Sequence, residues 1–341
     1  MSGLRFGLYY DFRNPPRWRQ ESTAHYRAIL AQIERAEGLG WDDVWLSEHH
    51  FVEDGYTPSC LPLAAAIAAR TTRLRVGTAV MLLPMHDPVR LAEDAATVDV
   101  LSGGRLDLGV GTGYRASEFT GFGIDRRTRV GRLVEGLEIL RALFAGETLT
   151  YRGRYYHCED VTLYPQPVQR PLKVWYGGFV ESAARRAAHY ADALIVSGFA
   201  TVPIRAFRDE LTKLGKNPAD HEVASGAMWL IVSAHPEQRW REAREHFHYQ
   251  LSLYAQWTAQ VTGWNTYARQ TATDAALRSE GVQVVSPAQA IDIIARYIEA
   301  TQITRWYSWT LPPGLPPEWA DEHIELMAKE VMPAFRAGTP T

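Results

Sequence analysis

Short apolar runs alternate with segments of helical periodicity along most of the chain. Apolar runs typical of buried strands occur eight times. They lie at 6–10, 43–46, 74–83, 105–110, 172–176, 193–196, 226–233 and 305–310. Segments with helical spacing of apolar residues lie at 25–39, 61–70, 88–101, 129–144, 182–190, 204–214, 236–260, 287–299 and 317–335. Because strands and helices alternate through short connections, the pattern predicts a parallel (β/α)8 barrel of the TIM type.

A doubly wound α/β sheet is the main alternative to the barrel. Such a sheet more often has five to seven strands and carries its glycine-rich turn on the first one. Here the glycine-rich tips follow the fourth and fifth predicted strands, which favours the barrel. We expect one domain over residues 1–341, with a hairpin excursion near 148–167. An insertion near 261–281 is either a lid over the active site or a packing loop.

Composition narrows the function without assigning one. The chain has 341 residues and a formal charge of −3, so nothing in its charge indicates binding to nucleic acid or to an anionic membrane. Its two cysteines, Cys60 and Cys158, are far apart, which argues against a disulfide framework and for a reducing compartment. The sequence shows neither a signal peptide nor a long apolar span, and we expect a cytoplasmic protein.

The tip of the second predicted strand carries the consecutive residues Glu48, His49 and His50. Adjacent side chains on a strand point to opposite sides, so one imidazole should face the barrel mouth. This spacing argues against a mononuclear metal site, for which His-x-His would place both rings inward. One imidazole at the mouth suits general acid–base chemistry or a hydrogen bond to a ring carbonyl. The alternative is a histidine that only orients a loop.

Glycines mark two further strand tips. Gly109, Gly111 and Gly113 recur at period two, which either clears room for a flat ligand or allows tight packing. Gly177 and Gly178 precede a predicted helix, where exposed amides could bind a phosphate or simply form a turn. Arg115 is a candidate for an additional positive charge beside that phosphate.

Several motifs in this order resemble the bacterial luciferase-like flavin monooxygenase family. They are S-E-H-H-F, V-G-T-A-V, H-D-P-V-R-L-A-E-D, S-G-G-R-L-D-L-G-V-G-T-G-Y-R-A-S-E-F-T-G-F-G and W-Y-G-G, and they span about residues 4 to 200. The resemblance implies a (β/α)8 barrel with inserted segments, usually a homodimer. It also implies reduced FMN from a separate flavin reductase, with O2 and a small organic molecule as substrates.

The resemblance also implies roles for individual residues. His49 would be the catalytic group, and the Ala79–Val80 peptide a cis bond beside the flavin. No residue is expected to bind a metal. The residues implied to bind the cofactor are Ala79, Val80, Thr112, Gly113, Tyr114, Gly178, Phe179 and Val180.

The sequence departs from the family pattern at three of the matched positions. Gly111 replaces the reactive cysteine of luciferase, and Thr112 replaces the arginine beside it. Phe179 stands where many relatives have serine after the glycine pair. Because of these changes, we do not expect the protein to emit light, and we expect weaker contacts with the cofactor phosphate.

The sequence therefore predicts an FMN-dependent monooxygenase, with three alternatives. One is an oxidoreductase that uses the deazaflavin F420 on the same fold and transfers hydride without oxygen. Another is a non-catalytic flavin-binding subunit, which the presence of His49 disfavours. The third is a metal hydrolase.

Overall fold

A closed barrel of parallel strands forms the centre of the molecule. The computed structural model describes residues 3–259 and 266–336. Within them, eight strands form the barrel in the order 75–78, 43–46, 5–10, 305–309, 223–225, 193–195, 174–177 and 106–111, and pairing of the first of these with the last closes it. The predicted (β/α)8 fold is thus confirmed. A short strand at 81–82 pairs with 106–111 just beyond 75–78.

The strands in the described segments have the following bounds. They are β1 Arg5–Tyr10, β2 Asp43–Leu46, β3 Arg75–Thr78, β4 Met81–Leu82, β5 Leu106–Gly111, β6 Leu149–Arg152, β7 His157–Val161, β8 Val174–Gly177, β9 Ala193–Ile195, β10 Val223–Ser225, β11 Trp229–Val232, β12 Val282–Val285 and β13 Arg305–Trp309.

Helices surround the barrel and cover its rim. They are α1 Ser22–Gly38, α2 Cys60–Ala68, α3 Pro88–Ser102, α4 Ala116–Gly121, α5 Arg129–Phe144, α6 Glu181–Tyr190, α7 Thr201–Lys213, α8 Pro236–Thr258, α9 Thr266–Gln270, α10 Asp274–Ala276, α11 Pro287–Thr301 and α12 Asp321–Leu326. Within the described segments, no helix is both long and apolar enough to cross a membrane.

Helix α3 shows how local sequence sets the boundaries of these elements. The carboxylate of Asp87 accepts hydrogen bonds from the amides of Val89 and Arg90, which caps the first turn. Pro88 occupies the first helical position, where its missing N–H leaves no intrahelical bond unmade. Gly103 ends the helix with φ of +64°, a left-handed conformation that glycine adopts at little cost.

The prediction that 226–233 forms the seventh barrel strand is wrong. The barrel strand is β10, just before it, and β11 instead pairs with β12 in a separate two-stranded sheet. A Cβ atom at Gly226 would lie 2.0 Å from the carbonyl oxygen of Tyr307, so only glycine fits where the chain leaves the barrel. The apolar run around β11 is longer than that of β10, so the sequence pattern predicted a barrel strand at β11 instead of β10.

The predicted insertions have distinct structures. The excursion near 148–167 contains the antiparallel pair of β6 and β7. In the segment predicted as a lid, residues 261–265 lie outside the described part of the chain, as does Gln260 of the predicted helix. Residues 266–281 form α9, α10 and a further helical turn, which pack beside α8. The last predicted helix, 317–335, is broken into short helical turns around α12.

A buried ion cluster fills the end of the barrel opposite the polar strand tips. Arg305, only 2% exposed, lies 3.0 Å from Asp43, 2.5 Å from Asp107 and 3.0 Å from Glu222 through its guanidinium nitrogens. Its guanidinium carbon also lies 4.5 Å from the ring centroid of Trp175. Burial would raise the pKa of Asp107, but Arg305 and Arg75 outweigh it and hold that pKa well below its usual range. The cluster joins charges from β2, β5 and β13 inside the barrel.

Candidate active site

The candidate site lies where the carboxyl ends of the strands open into the barrel mouth. The structure contains the cis peptide Ala79–Val80 between β3 and β4. The hydroxyl of Tyr9 donates a 2.7 Å hydrogen bond to the carbonyl oxygen of Ala79. Ala79 and Val80 stay partly accessible although the strands around them are buried. They therefore form part of the floor of the mouth.

Two of the predicted glycines make room for protein atoms. A Cβ atom at Gly109 would lie 1.9 Å from the carbonyl oxygen of Thr78, and one at Gly111 would lie 2.6 Å from Val80 Cγ2. Gly177 gives the same clearance on the other side, 2.6 Å from Val80 Cγ1. The packing interpretation holds for Gly109 and Gly111, since Val80 and the backbone of β3 fill the cleared space.

His49 lies in the mouth and is fixed by a carboxylate. Its Nδ1 is 2.7 Å from Oε1 of Glu118, and its Nε2 is 3.5 Å from the hydroxyl of Tyr114. The same Glu118 oxygen accepts hydrogen bonds from the amide of His50 and from Arg115. Because Glu118 is a carboxylate acceptor, it selects the tautomer with hydrogen on Nδ1. The Nε2 atom of His49 is then a proton acceptor that faces Tyr114.

Aromatic rings enclose this imidazole. The ring centroids of Tyr56, Trp257 and Tyr114 lie 4.7, 5.1 and 5.6 Å from that of His49. Tyr254 lies 6.3 Å away and stacks on Tyr267 of α9. The segment 266–281 therefore contributes to the wall of the chamber that holds His49.

The environment keeps His49 neutral near pH 7. Burial lowers the pKa of the imidazole, and the hydrogen bond and charge of Glu118 oppose this effect without overcoming it. The guanidinium groups of Arg115 and Arg13 lower the pKa further. A neutral imidazole with an unprotonated Nε2 can take up a proton during a reaction and return it later.

The second histidine of the pair belongs to a separate network. His50 Nε2 and His86 Nε2 lie 2.6 and 2.8 Å from the same oxygen of Glu48, while the other oxygen accepts from the amide of Leu82. Burial would raise the pKa of Glu48, but His86 and His50 outweigh it and lower it to about 2. The two histidines thus have different partners, as predicted, although β2 already ends at Leu46. In the described segments, no group of three or more His, Cys, Asp or Glu side chains could hold a metal ion.

A cationic cluster lies where α5 begins and includes one arginine from the middle of α6. Arg126, Arg129 and Arg186 donate only to uncharged acceptors, and no carboxylate of the described chain forms an ion pair with them. Burial lowers the pKa of Arg129, and repulsion by Arg126 and Arg186 lowers it further. Three half-buried like charges without a counter-charge indicate a site for an anion.

The predicted phosphate loop lies at the start of α6. Val180 precedes the helix, and no side chain caps its first turn. Gly178 is buried, whereas Phe179 and Val180 are exposed by 47% and 43%. Arg115, predicted to add a charge beside this loop, instead donates to Glu118 and to the carbonyl oxygen of His50. The arginine cluster described above supplies the unpaired charge.

An open cavity of about 560 Å³ adjoins these groups. It runs from the start of α6 past the tips of β9 and β11 to α9 and the turn before β12. Most of its lining is apolar or aromatic, and it includes Phe179, Phe199, Trp229 and Tyr267. Glu280 is the one charged residue among the described residues that line it.

The sequence matches a known protein family. Residues 4–302 match the family model of luciferase-like monooxygenases. The chain belongs to the luciferase-like monooxygenase family.

The names of its relatives describe different reactions. An F420-dependent glucose-6-phosphate dehydrogenase from Microbacterium testaceum is 32% identical over 65% of this chain and 68% of its own length. Limonene 1,2-monooxygenase from Rhodococcus erythropolis is 30% identical over 55% of this chain and 49% of its own length. Monooxygenase RslO1 from Streptomyces bottropensis superposes with a TM-score of 0.83, at 22% identity, over 97% of this chain and 100% of that one. The comparisons show a luciferase-like oxidoreductase and leave its cofactor between a flavin and F420.

The site residues of this luciferase-like chain fit a flat cofactor that carries a phosphate. Ala79, Val80, Thr112, Gly113 and Tyr114 form a partly accessible floor among buried strands. The uncapped start of α6 and the nearby arginine cluster suit a phosphate. The predicted cofactor residues thus lie at two parts of one mouth, although their contacts with a cofactor stay a prediction.

Glu118 is the functional residue that sequence analysis missed. It lies on α4, fully buried, within the quoted motif R-A-S-E-F-T-G-F-G. The sequence offered one signal for this residue. Arg115, just before α4, and Glu118, on α4, are three residues apart, and residues at this spacing lie on one face of a helix. Nothing in the sequence placed that pair against His49, 69 residues away.

Replacing Glu118 by glutamine should impair His49 without disturbing the fold. One oxygen of Glu118 accepts all three hydrogen bonds, and the other is buried without a partner in the described chain. The glutamine oxygen can therefore keep the three contacts while its NH2 group takes the place of the oxygen without a partner. Loss of the carboxylate charge removes what raises the pKa of His49, so this pKa should fall further. We expect turnover to drop at least about tenfold and the acid limb of the pH–rate profile to move to lower pH.

Glu138→Gln is the matched control for this change. Glu138 accepts a hydrogen bond from the Tyr151 hydroxyl at the surface, so its replacement should leave the profile unchanged. An unaltered acid limb in Glu118→Gln would show that the two groups are not coupled.

Proposed function

We propose that this protein is an FMN-dependent monooxygenase that uses reduced FMN and O2 to oxygenate a small organic substrate. The observation that carries the proposal is the neutral His49 imidazole, held by Glu118 inside an aromatic chamber beside a partly accessible floor. Reduced FMN would come from a separate flavin reductase. We further propose a cytoplasmic homodimer.

The chain's own residues would position the reactants and handle protons. When bound, reduced FMN supplies the electrons that activate O2. Nε2 of His49 accepts a proton near the floor and returns it, while Glu118 keeps Nδ1 protonated and the ring oriented. Tyr56, Trp257 and Tyr254 exclude water from this imidazole.

The distribution of charge supports FMN over F420. FMN carries a single phosphate, which matches one compact cluster of arginines. F420 carries a longer acidic tail, yet no Arg or Lys of the described chain lines the adjoining cavity, and the one charged residue among its described lining residues, Glu280, already pairs with Arg269.

Hydride transfer to or from F420 is the second candidate function. The 32% identity with an F420-dependent dehydrogenase favours it, and the same His49 could donate or accept the proton in that reaction. To decide, the purified protein would be titrated anaerobically with reduced FMN and with reduced F420. We expect tighter binding of reduced FMN, and selective binding of reduced F420 would reject the proposal.

Arg129→Met should weaken cofactor binding through the phosphate. Loss of one charge-assisted contact should raise the Kd for FMN about ten- to a hundredfold. Riboflavin lacks the phosphate, so its Kd should not change. Arg127→Met is the control, because the Arg127 side chain is 90% exposed and already pairs with Asp125. An equal loss of riboflavin affinity would place Arg129 elsewhere in the site.

A further inference from the structure

Arg13, just beyond β1, is a buried cation that the protein does not fully satisfy. Its Nε lies 2.9 Å from Oδ2 of Asp54, and the side chain has no exposed surface. This contact is an ion pair without hydrogen-bond geometry, and Nη1 and Nη2 also make no hydrogen bond to any residue of the described chain. Buried polar groups are nearly always hydrogen-bonded, and a buried guanidinium with two free N–H edges is strongly unfavourable. Such a group therefore indicates a missing partner.

Two aromatic rings, those of Tyr56 and Trp257, lie beside both Arg13 and His49. The guanidinium carbon lies 4.6 Å from the ring centroid of Tyr56 and 5.4 Å from that of Trp257. These are two of the rings that enclose His49. A ligand atom bound at Arg13 would therefore lie beside the same two rings as His49.

The surrounding charges select the kind of atom that can bind. Asp54 already balances the charge of Arg13. Asp11 lies close by, and its carboxylate accepts a 3.3 Å hydrogen bond from the Arg13 amide. Burial raises the pKa of Asp11 to about 6, although Arg13 opposes the rise. A carboxylate ligand would be repelled by these acidic groups, whereas a neutral oxygen can accept from both free N–H groups of Arg13.

We propose that Nη1 and Nη2 of Arg13 form a subsite for a neutral carbonyl oxygen of the ligand bound against His49. The inference deepens the proposed function, on which its account of the substrate rests. Two sources share this chemistry: a carbonyl group of the substrate, or a ring carbonyl of the cofactor. Either source would supply the hydrogen-bond acceptor that Arg13 lacks.

The first arm of the test compares ligands that differ in one atom. Tryptophan fluorescence would follow binding of cyclohexanone, methylenecyclohexane and cyclohexanecarboxylate to the FMN-loaded protein. If the oxygen belongs to the substrate, cyclohexanone should bind about ten- to a hundredfold more tightly than methylenecyclohexane, and Arg13→Met should abolish that preference. Arg17→Met is the control, since exposed Arg17 also stacks on a tryptophan ring, that of Trp18.

The second arm examines the cofactor. If the oxygen belongs to FMN, Arg13→Met should raise the Kd of oxidised FMN and of riboflavin by the same ten- to hundredfold factor, with no preference for cyclohexanone in the wild type. Arg13→Lys keeps the positive charge but lacks the two N–H groups that a guanidinium presents side by side. It replaces Arg13→Met if that variant does not fold.

The two arms together decide the proposal. Unchanged ligand preference and unchanged flavin affinity in the folded variants would overturn it, as would tightest binding of cyclohexanecarboxylate. Neither arm involves oxygen. A protein that never activates oxygen but shows either effect would refute the monooxygenase proposal while retaining the subsite.

Discussion

Replacing His49 by asparagine is expected to lower the rate of oxygenation by about 10²–10⁴-fold, the range for loss of a general acid–base group. The asparagine amide can occupy the place of Nδ1 and still donate to Glu118, but it offers nothing at the position of Nε2. The fold and the affinity for reduced FMN should therefore persist. Single-turnover product formation, with a substrate found by screening, measures the effect.

His157→Asn serves as the control for this experiment. His157 is an exposed histidine on β7, outside the chamber, and its replacement should leave the rate unchanged. His49→Asn with a rate within a few-fold of wild type would assign His49 to loop orientation alone. Such a result would favour a non-catalytic flavin-binding subunit.

Arg305→Met should cause the largest loss of stability among the substitutions considered. It removes the partner of Asp43, Asp107 and Glu222 inside the barrel, and two of these carboxylates are almost fully buried. Breaking a buried ion pair from one side costs about 3–5 kcal/mol, because an uncompensated charge stays behind. Arg5 and Arg75 still contact Asp43 and Asp107, which favours the lower half of that range. Urea unfolding of the purified variant would measure the loss.

An exposed ion pair provides the comparison for Arg305. Arg141 lies 2.9 Å from Asp192, and the two side chains are 45% and 31% exposed. Arg141→Met should cost less than about 1 kcal/mol, because solvent screens the pair. Equal losses in the two variants would contradict the role given to the buried cluster.

The barrel could be predicted from sequence because its signals are local. Seven of the eight predicted strands overlap the observed barrel strands, and the predicted helix 129–144 matches α5 at both ends. The exception arose because β10 has only three residues, whereas the adjacent β11 carries the stronger apolar run. Apolar periodicity reports burial, and it does not report which sheet a strand joins.

The site was predictable only where one strand tip carries the chemistry. His49 and His50 have different partners, as predicted, although both lie beyond the last residue of β2, Leu46. The pairing of His49 with Glu118 and the unsatisfied Arg13 were not predictable. Both depend on contacts between distant parts of the chain that only the closed barrel brings together. Arg115 was misplaced for the same reason, because its partner Glu118 had not been recognised.

Admission of oxygen to the protein loaded anaerobically with reduced FMN tests the central claim most directly. Stopped-flow absorbance would follow the flavin in wild type and in His49→Asn. The account predicts an oxygen-dependent absorbance change that forms in the wild type, persists, and decays faster in His49→Asn. Reduced FMN that oxidises in the wild type as it does free in solution, with no effect of His49→Asn, would contradict the monooxygenase proposal.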